Sequence, residues 1–243
     1  MFSAFYLPKT TTYPENPDKV KSTPYNTVKI TLLQGDPGDG KSTFMLHLVA
    51  RITTKGKLPD GKMFPECQNV IYQCSEDSPS DTIKPRLIAA GANCERVAFI
   101  TEENSDLTID DHRVEEAIVH TNARLCIFDP IQAYIPPDSD MQNAAKMRAV
   151  MKRLAGVAER TRCAIVLIGH MTKATSGKNL YRGLGSIDIA ATARSVLMIE
   201  RDPEDSTILY MQSAKSYTIF AKDMVIYGDL CPLLYRLPFS IFC

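Results

Sequence analysis

Nine consecutive residues carry the clearest chemistry in this chain: Gly35-Asp36-Pro37-Gly38-Asp39-Gly40-Lys41-Ser42-Thr43. A glycine, four residues and then Gly-Lys-Ser is the spacing of a loop that holds phosphate. Glycines at 35, 38 and 40 can take positive φ and carry no side chain, so successive backbone N–H groups can turn inward as an anion nest. In such a loop Lys41 reaches the β- and γ-phosphates of a nucleoside triphosphate, and the Ser42 hydroxyl ligates Mg²⁺. The nine residues are thus the expected ATP contacts, with ATP and Mg²⁺ as the expected ligands. Residues 27–33 are β-branched and apolar and predict a strand ending at the loop. Residues 44–52 predict a helix whose N-terminus faces the phosphates.

Other candidates close the ends of apolar runs. Asp129 follows Leu125-Cys126-Ile127-Phe128. A carboxylate at a strand end beside a P-loop is the second protein ligand of Mg²⁺; the plainer alternative is a turn-forming Asp before Pro130. Glu76 and Asp77 lie just past the strand expected at 69–74, where open α/β sheets build their sites. Glu76 is the favoured group for orienting an attacking water, against a helix-capping role. His170 ends the run 164–170, level with Asp129, and could hydrogen-bond a γ-phosphate; a structural histidine is the alternative. Lys173, Lys178 and Arg182 lie in a polar loop, with Arg194 after the next short helix. These cations suit phosphates, of single-stranded DNA or of a neighbour's ATP, or form a solvated basic loop.

Composition limits the classes. The 243 residues suffice for one sizeable α/β domain, and 44% hydrophobic content supplies its core. Lys+Arg and Asp+Glu are both 28, which excludes a wholly basic nucleic-acid coat but not a local basic channel. Seven cysteines, odd in number and without a C-x-x-C pair, read as buried reduced thiols of a cytoplasmic protein. No signal peptide is expected, and no apolar run approaches the roughly 18 residues that span a bilayer.

Nearly continuous apolar strands alternating with helices predict an α/β fold, its mostly parallel central sheet flanked by helices on both faces. Runs at 195–199 and 207–211 predict a C-terminal antiparallel hairpin. A helix starting near Asp110-Asp111 should bury Val114, Ala117 and Ile118, and a longer one Met147, Val150, Met151, Leu154 and Val157. The expected organisation is an extended lead-in over 1–26, a catalytic domain over 27–222, and an atypical tail over 223–243 with no clear partner pattern.

Taken together, the P-loop, Ser75-Glu76-Asp77, Phe128-Asp129-Pro130, His170-Met171-Thr172-Lys173, Tyr181-Arg182-Gly183-Leu184-Gly185-Ser186 and Ala191-Thr192-Ala193-Arg194 occur in the order of one family. The chain resembles RecA-fold P-loop ATPases, and more narrowly the RepA-type plasmid replication helicases and AAA-family ATPases carrying the RadA name. The resemblance implies a strand bearing the sensor His170 between the P-loop strand and the Asp129 strand. It also implies ATP bound between subunits of a ring, often a hexamer, with Glu76 as catalytic glutamate and Arg194 as an arginine finger in trans. Lys215 matches a further phosphate-contacting position, although Tyr217 stands where the family carries a small polar residue. The expected activity is Mg²⁺-dependent ATP hydrolysis coupled to DNA binding or remodelling, of helicase type. The alternatives are a nucleotide-dependent binding switch with little turnover, or a RecA-like recombination accessory.

Overall fold

The computed structural model describes residues 4–5, 30–58, 63–101, 106–137, 144–170, 187–204, 208–216 and 224–227. Nine strands among them form one sheet: β1 (Ala4–Phe5), β2 (Ile30–Gly35), β3 (Asn69–Cys74), β4 (Val97–Ile100), β5 (Ala123–Asp129), β6 (Ala164–His170), β7 (Ser195–Arg201), β8 (Ile208–Ser216) and β9 (Met224–Tyr227), in spatial order β1-β4-β3-β5-β6-β2-β7-β8-β9. All pairings from β1 to β7 are parallel. The strand that ends at His170, β6, lies between β2 and β5, as the resemblance implies.

Helices cover both faces, which is why the inner strands are apolar throughout. In β5, Leu125 and Ile127 face one layer while Cys126 and Phe128 face the other. The first layer holds α1 (Lys41–Thr53) and α2 (Lys84–Ala89), through Met45, Val49, Ile52 and Leu87. The second holds α3 (His112–Thr121), α4 (Ala144–Thr161) and α5 (Ile187–Thr192), through Val114, Ile118, Met151, Leu154 and Ile189. Asp111 caps α3 by accepting from the Arg113 N–H at 2.9 Å. In α4 the buried stripe continues from Leu154 to Ala158, while Val157 is only partly buried. The i+4 step keeps the stripe on the sheet, where the expected i+3 step drifts off it.

The hairpin is longer than the sequence suggests. The nine-residue β8 pairs antiparallel with all seven residues of β7, from Leu209 opposite Arg201 to Ser216 opposite Ser195, with a register shift between Val196 and Leu197. β9 then extends it antiparallel to β8. Met224–Tyr227 thus has a partner that no periodicity in 223–243 reveals, and Ala4–Phe5 likewise adds a strand beside β4. Cys126 and Cys163 are fully buried, and burial pushes both thiols well up, so they stay protonated.

β7 passes close to the end of β2. A Cβ on Gly35 would stand 2.4 Å from the Ile199 carbonyl oxygen. Gly35→Ala must therefore push β7 away, and we expect a stability loss of about 1–3 kcal/mol in urea unfolding. An unchanged midpoint would show that β7 yields freely.

Candidate functional site

The P-loop turns between β2 and α1. Gly38 and Gly40 have φ of 89° and 78°, the left-handed region that glycine enters without penalty. Gly35 does not need positive φ; it is glycine because β7 leaves no room for a side chain. The loop is tied internally: the Asp39 N–H donates to the Asp36 carbonyl at 3.2 Å, and the Asp36 N–H donates to Asp39 Oδ2 at 3.0 Å.

Lys41 opens α1 at only 4% exposure. Its Nζ donates to the carbonyls of Gly35 at 2.9 Å and Asp36 at 2.7 Å. Burial pulls its pKa down, and Asp39, Asp129, Asp36 and Glu76 oppose that pull. The candidate cation and the candidate acids therefore share one electrostatic environment.

Asp129 ends β5, buried, and accepts from the Tyr72 hydroxyl at 2.8 Å. Tyr72 is itself fully buried, and burial together with Asp129 raises its pKa well above the ordinary phenol value, so it remains a donor. Sequence reasoning missed Tyr72. A tyrosine inside an apolar strand signals that its hydroxyl needs a partner. That partner follows from the β3–β5 register, which sets Tyr72 opposite Ile127 and makes Asp129 its same-face diagonal neighbour.

Glu76 and His170 meet across the sheet edge, with Glu76 Oε1 3.8 Å from His170 Nε2. Phe128 lies opposite Leu167 and Gly35 opposite His170, so His170 stands beyond Asp129, level with the P-loop. Its Nδ1 is buried without a hydrogen bond. Neither acid caps the next helical segment; Ser78 does, accepting from the Asp81 N–H at 3.4 Å. Asp77 instead pairs with Arg86 at 3.1 Å. Of the two acids, Glu76 is thus the one that faces His170.

Among the described residues no group of three His, Cys, Asp or Glu gathers to hold a metal. A magnesium–nucleotide site does not require one, because phosphates and waters complete the octahedron. Ser42, in the first turn of α1, and the buried Asp129 could supply the hydroxyl and carboxylate such a site takes from the protein.

Arg194 lies at the other end of the sheet. Its backbone N–H donates to the carbonyl of Ile30, the first residue of β2, at 2.9 Å, and the residue is exposed. Lys215 pairs with Val196 at the same end. Ile30 stands five strand steps from Gly35, about 17 Å, and Leu32, level with Val196 and Lys215, stands three steps from it, about 10 Å. Neither residue is level with its own chain's P-loop. Lys173, Lys178 and Arg182 lie outside the described residues.

A family model described as an AAA domain matches residues 16–176. The DNA repair protein RadA of Halalkalibacterium halodurans is 32% identical over 146 residues, which are 59% of this chain and 28% of that protein. The DNA repair protein RadA of Mycobacterium tuberculosis is 27% identical over 147 residues, 59% of this chain and 27% of that protein. The chain thus matches little more than a quarter of the length of these curated relatives. The solved structure of the ATPase Domain of G40P superposes with a TM-score of 0.61 at 11% identity, covering 82% of this chain and 80% of that one. That likeness supports the RecA-like fold.

Tyr72→Phe removes one hydroxyl from the core and leaves a buried carboxylate short of a donor. The expected cost is about 1–3 kcal/mol of stability at neutral pH, measured by urea unfolding. A variant as stable as the parent would mean that Asp129 finds water instead.

Proposed function

Because the chain belongs to the AAA domain family, we propose that its P-loop site binds ATP with Mg²⁺ and hydrolyses the β–γ bond. One observation carries the reading. The positive-φ loop, the buried Lys41, the Tyr72-held Asp129 and the facing Glu76 and His170 all converge at the C-terminal ends of adjacent strands. Bound Mg²⁺, held by Ser42 and Asp129, would draw negative charge from the β- and γ-oxygens. Lys41 exchanges its two carbonyl partners for phosphate oxygens. The Glu76 carboxylate accepts a hydrogen bond from the water that attacks the γ-phosphorus, and the bridging bond breaks to give ADP and phosphate. His170, level with the loop, senses the loss of the γ-phosphate. Catalysis of this kind is positioning and charge neutralisation rather than covalent chemistry.

We assign the turnover to DNA binding or remodelling, performed in the cytoplasm by a ring of identical chains. The DNA assignment draws support from the relatives named as DNA repair proteins. In this reading residues 27–222 form the ATPase domain, and Lys173, Lys178 and Arg182 contact single-stranded DNA. The ring assignment rests on Arg194 and Lys215, whose level at the far end of the sheet suits a neighbour's phosphates. A second reading is a nucleotide-dependent switch with little turnover. It draws on the residues after about Thr218, which do not follow the pattern of the resembling family.

Steady-state ATPase with and without single-stranded DNA separates the two readings. Lys41→Ala should abolish turnover; hydrolysis at the parent rate would remove the P-loop from the mechanism. Glu76→Gln should bind ATP yet hydrolyse it at least about a hundredfold more slowly, as general-base losses do. If Asp77→Asn rather than Glu76→Gln has that effect, the base is Asp77.

Arg194→Ala should keep ATP binding and lose a factor of about 10³–10⁵ in rate, the contribution of an arginine finger. Mixing it with Lys41→Ala should restore some activity that neither variant has alone. Absence of rescue after verified co-assembly would place Arg194 outside the site.

A further inference from the structure

The β7–β8 hairpin meets all three glycines of the P-loop. The Ile199 carbonyl blocks a side chain at Gly35, and Leu209 Cδ1 lies 3.1 Å from where a Gly40 Cβ would stand. Between them Arg201, the last residue of β7, donates from Nη2 to the Gly38 carbonyl at 2.8 Å. The first two contacts are packing. The third is a charge-assisted hydrogen bond to the apex of a loop rich in glycine, whose own backbone resists distortion weakly.

The corner from which Arg201 extends is itself fixed. Its neighbour Asp202 accepts from the Tyr210 hydroxyl at 2.8 Å through Oδ2 and from the Glu204 N–H at 2.8 Å through Oδ1. Turn and opposite strand are thereby joined just beyond β7.

The Gly38 carbonyl shares a rigid peptide plane with the Asp39 N–H, and the two point in opposite directions. That N–H donates to the Asp36 carbonyl at 3.2 Å, and the same carbonyl receives Lys41 Nζ at 2.7 Å. A continuous chain therefore runs from the Arg201 guanidinium through one peptide and one carbonyl to the Lys41 ammonium. Fixing the outer end of the peptide fixes the carbonyl on which Lys41 rests.

We propose that Arg201 is a positioning residue of the nucleotide site, acting on Lys41 through the peptide between Gly38 and Asp39. It holds the loop in its phosphate-ready shape from outside, where it need not touch nucleotide. The proposal rests on the ATP-binding reading above for its consequence, but not for its primary observable. Arg201 is exposed, so substitution there should leave the fold intact.

The first measurement uses the full chain without nucleotide. Hydrogen exchange of the Asp39 amide should speed up about tenfold in Arg201→Ala, the scale of losing one exposed charge-assisted hydrogen bond. Amides in β5 should exchange at the parent rate. Arg201→Lys, a point charge on a shorter reach, should fall between. The second measurement titrates a fluorescent non-hydrolysable ATP analogue with Mg²⁺. Its Kd should rise about tenfold in Arg201→Ala, and in turnover KM should rise far more than kcat falls.

Parent-like exchange at Asp39 overturns the proposal whatever the chain does with ATP. Accelerated exchange spread equally over β5 also overturns it, because Arg201 would then be supporting the fold at large. If Asp39 exchange accelerates but the parent chain shows no Lys41-dependent binding of the analogue, the coupling stands and the ATP reading fails.

Discussion

A buried ammonium ion is the interaction on which this site depends. Lys41 is almost without solvent, and an isolated charge there would be expensive. Two loop carbonyls receive it, and Asp36, Asp39, Asp129 and Glu76 counter its desolvation. Those groups come from the P-loop and from the ends of β5 and β3. Only a parallel sheet with β2 near its centre delivers strand ends from both halves of the chain to one lysine. The order β3-β5-β6-β2 meets that requirement, and the two helical layers keep the strands fixed while it is met.

The local parts of this arrangement were legible in the sequence. The P-loop is a continuous motif with a strand before it and a helix after it. Asp129, Glu76 and His170 each close an apolar run, and strand ends of a parallel sheet must lie together. What could not be read depends on register and on distance along the chain. Tyr72 and Asp129 are 57 positions apart, and Arg201 and Gly38 are 163 apart. No spacing rule links them; a pairing offset and a hairpin return do. Gly35 makes the same point. Its identity was legible, but the reason was not, since the Ile199 carbonyl comes from β7, beside β2 in the sheet but far along the chain. His170 and Asp129 each end an apolar run, which predicts them level, and the observed register instead sets His170 level with Gly35. β9 is not legible in the sequence, because four residues give too short a pattern to show an alternation.

The sheet separates its charges by end. Lys41, Asp129, Glu76 and His170 gather where the parallel strands finish, while Arg194 stands where β2 begins and Lys215 at the level of Leu32. A strand cannot be compressed appreciably, so the separation is built in rather than adjustable. It fits the proposal that these two cations serve a second copy of the chain.

β7 runs from one of these ends to the other. Arg194 immediately precedes its first residue, and Arg201 is its last. The strand is therefore a ruler with a guanidinium at each mark. Removing one residue would shorten it by about 3.3 Å and turn every later side chain to the opposite face of the sheet. Arg201 would then point away from the loop it now holds, even with every residue type unchanged. Substitutions in the middle of β7 test packing alone, whereas its length is a quantity in its own right, set at one end by a backbone hydrogen bond to Ile30 and at the other by the Arg201 guanidinium.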